Sequence, residues 1–190
     1  MRLRTRNRWI NPFVLKHLFL GLLYIIAPSL SFAHSTENEC SPARLKSLVS
    51  GLGDVSVRVR DESRDALVKA GRQAIPFLME GFEHTPPRRH FEIADTLAVL
   101  EEWGPALPHL HQALGDASAV RRLRAQALLT QYGLTGVDVL VTLLGDPNPA
   151  KQASAFQVLM QLQGATVPLL TPRLQTAPVP VKVKILDLFF

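Results

Sequence analysis

The sequence predicts an all-α fold, a right-handed α-solenoid of stacked antiparallel helix pairs. Three observations predict it: a Gly-Asp joint that recurs along the chain, a leucine at the same place in every unit, and a glycine break before a second apolar segment. A short helix pair cannot bury its apolar stripe alone, so successive pairs must stack on one another.

The first helix of each unit is predicted from the spacing of its apolar residues. The units begin at Asp54, His84, Asp116 and Asp146, which are 30, 32 and 30 residues apart. A leucine stands thirteen positions after each start, and these leucines are Leu67, Leu97, Leu129 and Leu159. Small or apolar residues lie four positions before and three positions after each leucine, which is the spacing of one helical stripe.

The second helix of each unit follows a glycine break, at Gly71, Gly104, Gly133 or Gly164. Three of these helices carry a proline near their start, at Pro76, Pro108 and Pro168. Proline lacks a backbone N–H, but the first N–H groups of a helix have no partner within the helix, so no hydrogen bond is lost. The predicted core positions are Ile75, Leu78 and Phe82; Leu107, Leu110 and Leu114; Val137, Leu140 and Leu144; and Val167, Leu170 and Leu174. An extra Glu-Glu-Trp before Gly104 predicts a longer turn in unit two.

The pattern extends beyond the four complete units. Leu45, Leu48 and Leu52 repeat the second-helix core positions thirty residues early. Ser41 as N-cap and Pro42 as first helical residue open this lone helix. Residues 178–190 begin a fifth unit that stops after one helix. We therefore predict a repeat domain over residues 43–190 (half a repeat, four full repeats and a truncated fifth), preceded by a flexible segment at 34–42.

A secretory signal peptide is predicted over residues 1–33, with cleavage after Ala33. Four arginines precede an apolar run at 13–27, and Pro28 then leads to the small residues Ser31 and Ala33, which is the pattern of a cleaved export signal. The protein is therefore expected to be periplasmic or secreted. The alternative is an uncleaved membrane anchor, and only then would the protein contact a membrane.

Removal of this leader changes the charge of the chain. The whole sequence has 21 Lys+Arg and 16 Asp+Glu. Five of the basic residues and none of the acidic ones lie in the leader, so the mature part has no formal net charge. The basic character of the whole chain is thus no sign of nucleic-acid binding. Cys40 is the single cysteine, which rules out a disulfide within the chain.

The units resemble short HEAT-like repeats, of the type also found in relatives of phycobilisome lyases. They match the pattern G-D-P-x-P-x-x-R, then A-x-x-x-L-x-x-L-G, then A-x-P-x-L. The resemblance covers about residues 43 to 190 and implies a superhelix of HEAT-like or armadillo type. The lyase relatives imply attachment of a chromophore, but no lyase residue can be matched in this sequence.

Basic residues gather at the joints between units, and two interpretations are open. They could grip phosphates as a ladder, or they could pair with Asp54, Asp116 and Asp146 and satisfy helix ends. Zero net charge and few nearby aromatic residues favour the second interpretation, and no nucleic acid is expected as a partner. The residues are Arg58, Arg60, Arg88, Arg89, Arg121, Arg122, Lys151, Lys182 and Lys184.

No catalytic apparatus, metal site or cofactor is predicted. His109 and His111 are two positions apart on one helix and point about 200° apart, so they cannot easily share a metal. The sequence has no nucleophile elbow and no phosphate-binding glycine loop. Glu101 and Glu102 stand side by side in a predicted turn, where a solvated edge is expected.

A partner-binding surface is predicted on the second helices, which line the concave face of a HEAT-like stack. With Ile75, Leu78 and Phe82 inward, Phe77 and Glu80 point away from the core. An apolar column with polar neighbours is typical of an interaction site. The predicted site residues are Phe77, Glu80, His109, Gln112, Val139, Thr142 and Leu169.

The C-terminal end suggests a second contact. Ile185, Leu186, Leu188, Phe189 and Phe190 would expose an apolar helix face, whereas terminal repeats normally have a polar outer surface. Three explanations are open: an incomplete polypeptide, a dimer contact or a capping partner. The sequence thus predicts an exported, non-catalytic scaffold that binds a protein or peptide. The alternative is a lyase-type enzyme or enzyme subunit acting on a bound small molecule.

Overall fold

The computed structural model describes residues 41–189, and the predicted all-α fold is confirmed there, since none of these residues is in a strand. From Leu45 onward the chain forms one compact unit. The predicted signal peptide, most of the segment at 34–42 and Phe190 lie outside the described residues. Between residues 41 and 189, no helix combines the length and apolar character needed to cross a membrane.

Eleven α-helices are present in residues 41–189. They are α1 (Pro42–Gly51), α2 (Val57–Ala70), α3 (Ile75–His84), α4 (His90–Val99), α5 (Trp103–Ala113), α6 (Ala119–Tyr132), α7 (Val137–Leu143), α8 (Pro149–Leu162), α9 (Val167–Leu170), α10 (Arg173–Thr176) and α11 (Val179–Asp187). Short 3-10 turns occupy Gly71–Ala74, Pro87–Arg89, Gly133–Gly136 and Gln163–Thr166.

Helix α1 begins as the sequence predicts. Pro42 is its first residue, and the Ser41 hydroxyl accepts the backbone N–H of Arg44 at 3.4 Å. A serine oxygen in this place satisfies one of the N–H groups that the first helical turn leaves unpaired.

The predicted first helices form at the predicted register. Helices α2, α6 and α8 each contain fourteen residues, and the four leucines that define the repeat, Leu67, Leu97, Leu129 and Leu159, are all buried. Gly71 and Gly133 end α2 and α6 with φ angles of 62° and 74°, a conformation that glycine adopts at little cost. The glycine break is confirmed at both positions.

Unit two departs from this plan, and the predicted break at Gly104 is wrong. Helix α4 has only ten residues, and Glu101, with φ of 64°, turns the chain where units one and three use Gly71 and Gly133. Helix α5 then begins at Trp103, so that Gly104 lies within the helix and Pro108 lies in its interior. The reason is that the extra residues lengthen α5 at its start, which leaves the proline deeper in the helix than Pro76 is in α3.

Buried side chains of the second helices meet those of the first helices in one core. The middle core position of each second helix is fully buried, at Leu78, Leu110, Leu140 and Leu170. Phe82 and Leu174 are only half-buried and pack against the core from its edge. Helix α4 packs against α5, α5 against α6, and both α6 and α7 against α8.

Helix α4 is buried on more than one side. Its six consecutive residues from Ile93 to Ala98 are all buried, including the polar Asp95 and Thr96, whereas α2 buries only Ser63 and Leu67. A run of six residues covers more than the single stripe of an amphipathic helix. Helix α4 is therefore recessed, and both α2 and α6 pack against it.

The C-terminal helix is less open than the sequence suggests. Ile185 is fully buried, and Leu188 and Phe189 are half-buried against the core, so the prediction that these residues expose an apolar face is wrong. Val181 and Ile185 are the buried residues of α11, and Leu188 and Phe189 follow the helix and pack against the same core. Leu186 is exposed as expected.

Candidate partner-binding surface

An aspartate makes the same hydrogen bond at the joints that begin units one, three and four. The carboxylate accepts the backbone N–H two residues on, at 2.8 Å for Asp54, 2.7 Å for Asp116 and 2.8 Å for Asp146. This is the Asx turn that short acidic side chains favour. It places the aspartate at the start of the following helix, where a negative charge is stabilised.

A long polar side chain six residues later closes each turn. Arg60 donates to two joint carbonyl oxygens at 2.7 and 3.0 Å, Arg122 does so at 2.6 and 3.1 Å, and Gln152 makes one such bond at 2.5 Å. In unit two the equivalent residue is His90, whose Nε2 lies 3.0 Å from the carbonyl oxygen of Thr85. Arg60 and Arg122 therefore bond to the backbone of the joint and not, as the structural interpretation expected, to the aspartate carboxylates.

Not every basic residue near a joint pairs with its aspartate. Arg121 and Lys151 do, at 3.5 Å and 3.6 Å. Arg58 instead pairs with Glu62 along its own helix. The prediction that Arg58 pairs with the joint aspartate is wrong, because Glu62 lies one helical turn away and offers its carboxylate instead.

The predicted apolar column on the second helices is partly exposed. Val139 on α7 and Leu169 on α9 are each 42% exposed, so both side chains are available to a partner. Phe77 on α3 is half-buried and packs against the core. The column therefore offers two open apolar residues and one that presents only part of its ring.

His109, the second residue of the predicted column, is half-buried and packs against two neighbouring rings. Its ring stacks on Phe82 with centroids 4.4 Å apart and meets the edge of His90 at 4.9 Å. Burial first, and the nearby charge of His90 second, lower the pKa of His109. The imidazole packs in this way because Phe82 lies at the edge of the core and presents one flat apolar ring face to His109.

Phe77 and Glu80 come together beside α1, at a small cavity of about 170 Å³. Phe77 and Val49 form its apolar wall, and Lys46 pairs with Glu80 at its rim, at 2.7 Å. The hydrogen bond from Lys46 lowers the pKa of Glu80. A Cβ on Gly81 would come within 2.8 Å of Val49, so the glycine permits the close approach of the two helices.

The remaining predicted residues form the polar neighbours of the column. Gln112 and Thr142 are exposed, and the Thr142 hydroxyl donates to the carbonyl oxygen of Asp138 at 3.0 Å. Asp138 in turn pairs with Arg173 of α10 at 2.5 Å. This ion pair links consecutive second-helix segments, as the pair of Lys46 and Glu80 does at the other end.

Sequence reasoning missed Lys46 and Val49 as members of the site. The half repeat at α1 is in register with the other second helices, so that Lys46 and Val49 occupy the places of Pro76 and Met79. The predicted columns extend in α1 to Ser47 and Ser50, and of these only Ser50 lines the cavity. The repeat register alone therefore does not identify the apolar wall.

The candidate surface combines apolar side chains with an ion pair and exposed hydrogen-bonding groups. Within residues 41–189, no group of three or more His, Cys, Asp or Glu side chains is placed to hold a metal ion. The chain matches no protein-family model, and no curated protein shows significant similarity to it.

Proposed function

We propose that this protein is an exported scaffold that binds a protein or peptide partner and catalyses no reaction. Its helix pairs would stack as a HEAT-like solenoid with the second helices on the concave face. The regular joints support this arrangement, because the same aspartate turn recurs at Asp54, Asp116 and Asp146. A repeated joint geometry gives successive pairs a similar rotation, which is the basis of a solenoid.

One observation carries the binding proposal. Val139 and Leu169 occupy equivalent positions of successive second helices and are both 42% exposed. Their polar neighbours, Thr142 among them, are exposed too. Apolar side chains presented in register and rimmed by polar groups are typical of an interaction surface.

The test compares two substitutions of equal chemistry. Val139→Glu places a charge in the column, whereas Leu123→Glu places one on an exposed position of α6. Both side chains already contact water, so we expect unchanged helicity by circular dichroism. In capture from the native cell envelope after mild crosslinking, Val139→Glu should lose a partner that wild type and Leu123→Glu retain.

Equal capture by all three forms would refute the surface assignment. The lyase-type alternative makes a different prediction, because such a subunit would hold its small molecule during purification. An absorption spectrum and mass spectrum of the purified protein that show a retained organic ligand would favour that alternative.

A further inference from the structure

A cleft lies over the recessed helix α4, between α2 and α6. Its main cavity measures about 740 Å³ and continues toward the joint as a second cavity of about 370 Å³. Arg60, Glu92 and Arg121 line both cavities. Both volumes fall in the range of small-molecule sites. The cleft exists because α4 lies deeper than its neighbours.

Ion pairs hold most charged groups in the floor of the cleft, whereas the buried Oε2 of Glu92 has no hydrogen-bond partner among the described residues. Asp95 is only 5% exposed, and its carboxylate pairs with Arg124 of α6 at 2.7 Å and with Arg64 of α2 at 3.5 Å. Glu92 pairs with Arg121 at 2.6 Å. These bonds join the arginines of α2 and α6 to the carboxylates of α4 across the cleft.

The joint end of the cleft carries positive charge that no carboxylate neutralises. Arg88 and Arg89 line the smaller cavity and, within residues 41–189, form no ion pair. Arg60 donates to carbonyl oxygens rather than to a carboxylate. Of the six arginines that line the two cavities, Arg88 and Arg89 are the two that, among the described residues, make neither an ion pair nor a side-chain hydrogen bond to a joint carbonyl.

The geometry holds Arg89 at this place. A Cβ added to Gly53 would come within 2.3 Å of the Arg89 side chain. The Arg89 side chain therefore packs directly against the Gly53 backbone. A guanidinium held in this way loses less freedom when it binds an anion. Paired arginine forks match the oxygens of phosphate and carboxylate groups.

We propose that the joint end of this cleft binds a small multivalent oxyanion, held mainly by Arg88 and Arg89. The ligand carries at least two phosphate or carboxylate groups, because two uncompensated cations are available to them. The site lies on the first-helix side of the molecule and shares no residue with the partner-binding surface. It therefore adds a small-molecule site to the proposed scaffold.

Isothermal titration calorimetry at constant ionic strength tests the proposal, with pyrophosphate and citrate as probes. Binding of pyrophosphate alone would identify a phosphate ligand, and binding of citrate alone would identify a polycarboxylate; absence of binding by both would overturn the proposal. Arg89→Gln and Arg88→Gln should each weaken binding about tenfold or more, because hydrogen bonds to charged groups are strong.

Arg72→Gln provides the matched control, since Arg72 is exposed and lies outside both cavities. It removes the same charge and should leave binding unchanged. Equal weakening by Arg72→Gln would show attraction to net charge only and overturn the proposal. Arg88 is exposed, so its substitution should not affect folding even if loss of Arg89 does. Val139→Glu should leave anion binding intact, which separates this test from that of the proposed function.

Discussion

We expect the glycines that end α2 and α6 to be required for stability solely because of the backbone conformation that they adopt. Gly71 has φ and ψ of 62° and −137°, and Gly133 has 74° and −146°. Other residues rarely adopt this region. A Cβ at either position would meet no atom within 4 Å, so no clash contributes. We therefore expect Gly71→Ala and Gly133→Ala each to cost about 1–3 kcal/mol of unfolding free energy.

Replacing a residue by glycine should instead raise the unfolding free energy at the irregular turn of unit two. Glu101 has φ of 64°, which costs a residue with a side chain about 1–2 kcal/mol. Glycine removes this cost but adds about 0.5–1 kcal/mol through the freedom of the unfolded chain. Glu101→Gly should therefore stabilise the protein by roughly 0.5–1 kcal/mol.

Urea unfolding followed by circular dichroism measures these differences, and Gly104→Ala supplies a control. Gly104 lies inside α5 with no atom within 4 Å of an added Cβ, so alanine there should stabilise by about 0.5–1 kcal/mol. The reasoning would be refuted if Gly71→Ala were as stable as wild type or if Glu101→Gly were less stable.

Two further predictions concern buried polar groups. Asp95→Asn should lower the unfolding free energy by about 2 kcal/mol, which is less than for a fully buried pair because its arginine partners can rehydrate. The control is Asp65→Asn at an exposed position of α2, which should change the unfolding free energy by under about 0.5 kcal/mol. Similar losses in both variants would contradict the role of Asp95 in the floor. Burial lowers the pKa of His109 and His111 below the ordinary 6.5. The unfolded chain then binds more protons than the folded chain as the pH falls through 6.5, so unfolding free energy should decrease there. His111→Gln should flatten that decrease in urea titrations at pH 8, 7, 6 and 5, and an unchanged slope would contradict it.

The sequence predicts the helices best where a local rule acts alone. Ser41 and Pro42 start α1 by the ordinary chemistry of a helix N-terminus. The repeat leucines are buried as predicted because one stripe of a regular helix must face the core. In these cases the local preference and the packing of the chain agree, which is why a single sequence suffices.

Prediction fails where two neighbouring elements decide the outcome together. Gly104 was expected to break the chain, but the turn forms earlier at Glu101 because the inserted residues extend α5. His109 occupies a surface position of its own helix, yet Phe82 from the preceding second helix draws it into a stack. A helical wheel describes one helix and contains no information about such a neighbour.

The irregular unit also explains why the charged cleft lies where it does. Arg60 and Arg122 each close their joint with two hydrogen bonds, whereas His90 closes the joint of unit two with a single bond to Thr85. The shorter imidazole satisfies the turn without a guanidinium, and no joint aspartate is present at His84 to attract Arg88 and Arg89. The two arginines are left at the cleft without a carboxylate partner within residues 41–189, and this replacement of the joint aspartate is what makes an anion site possible.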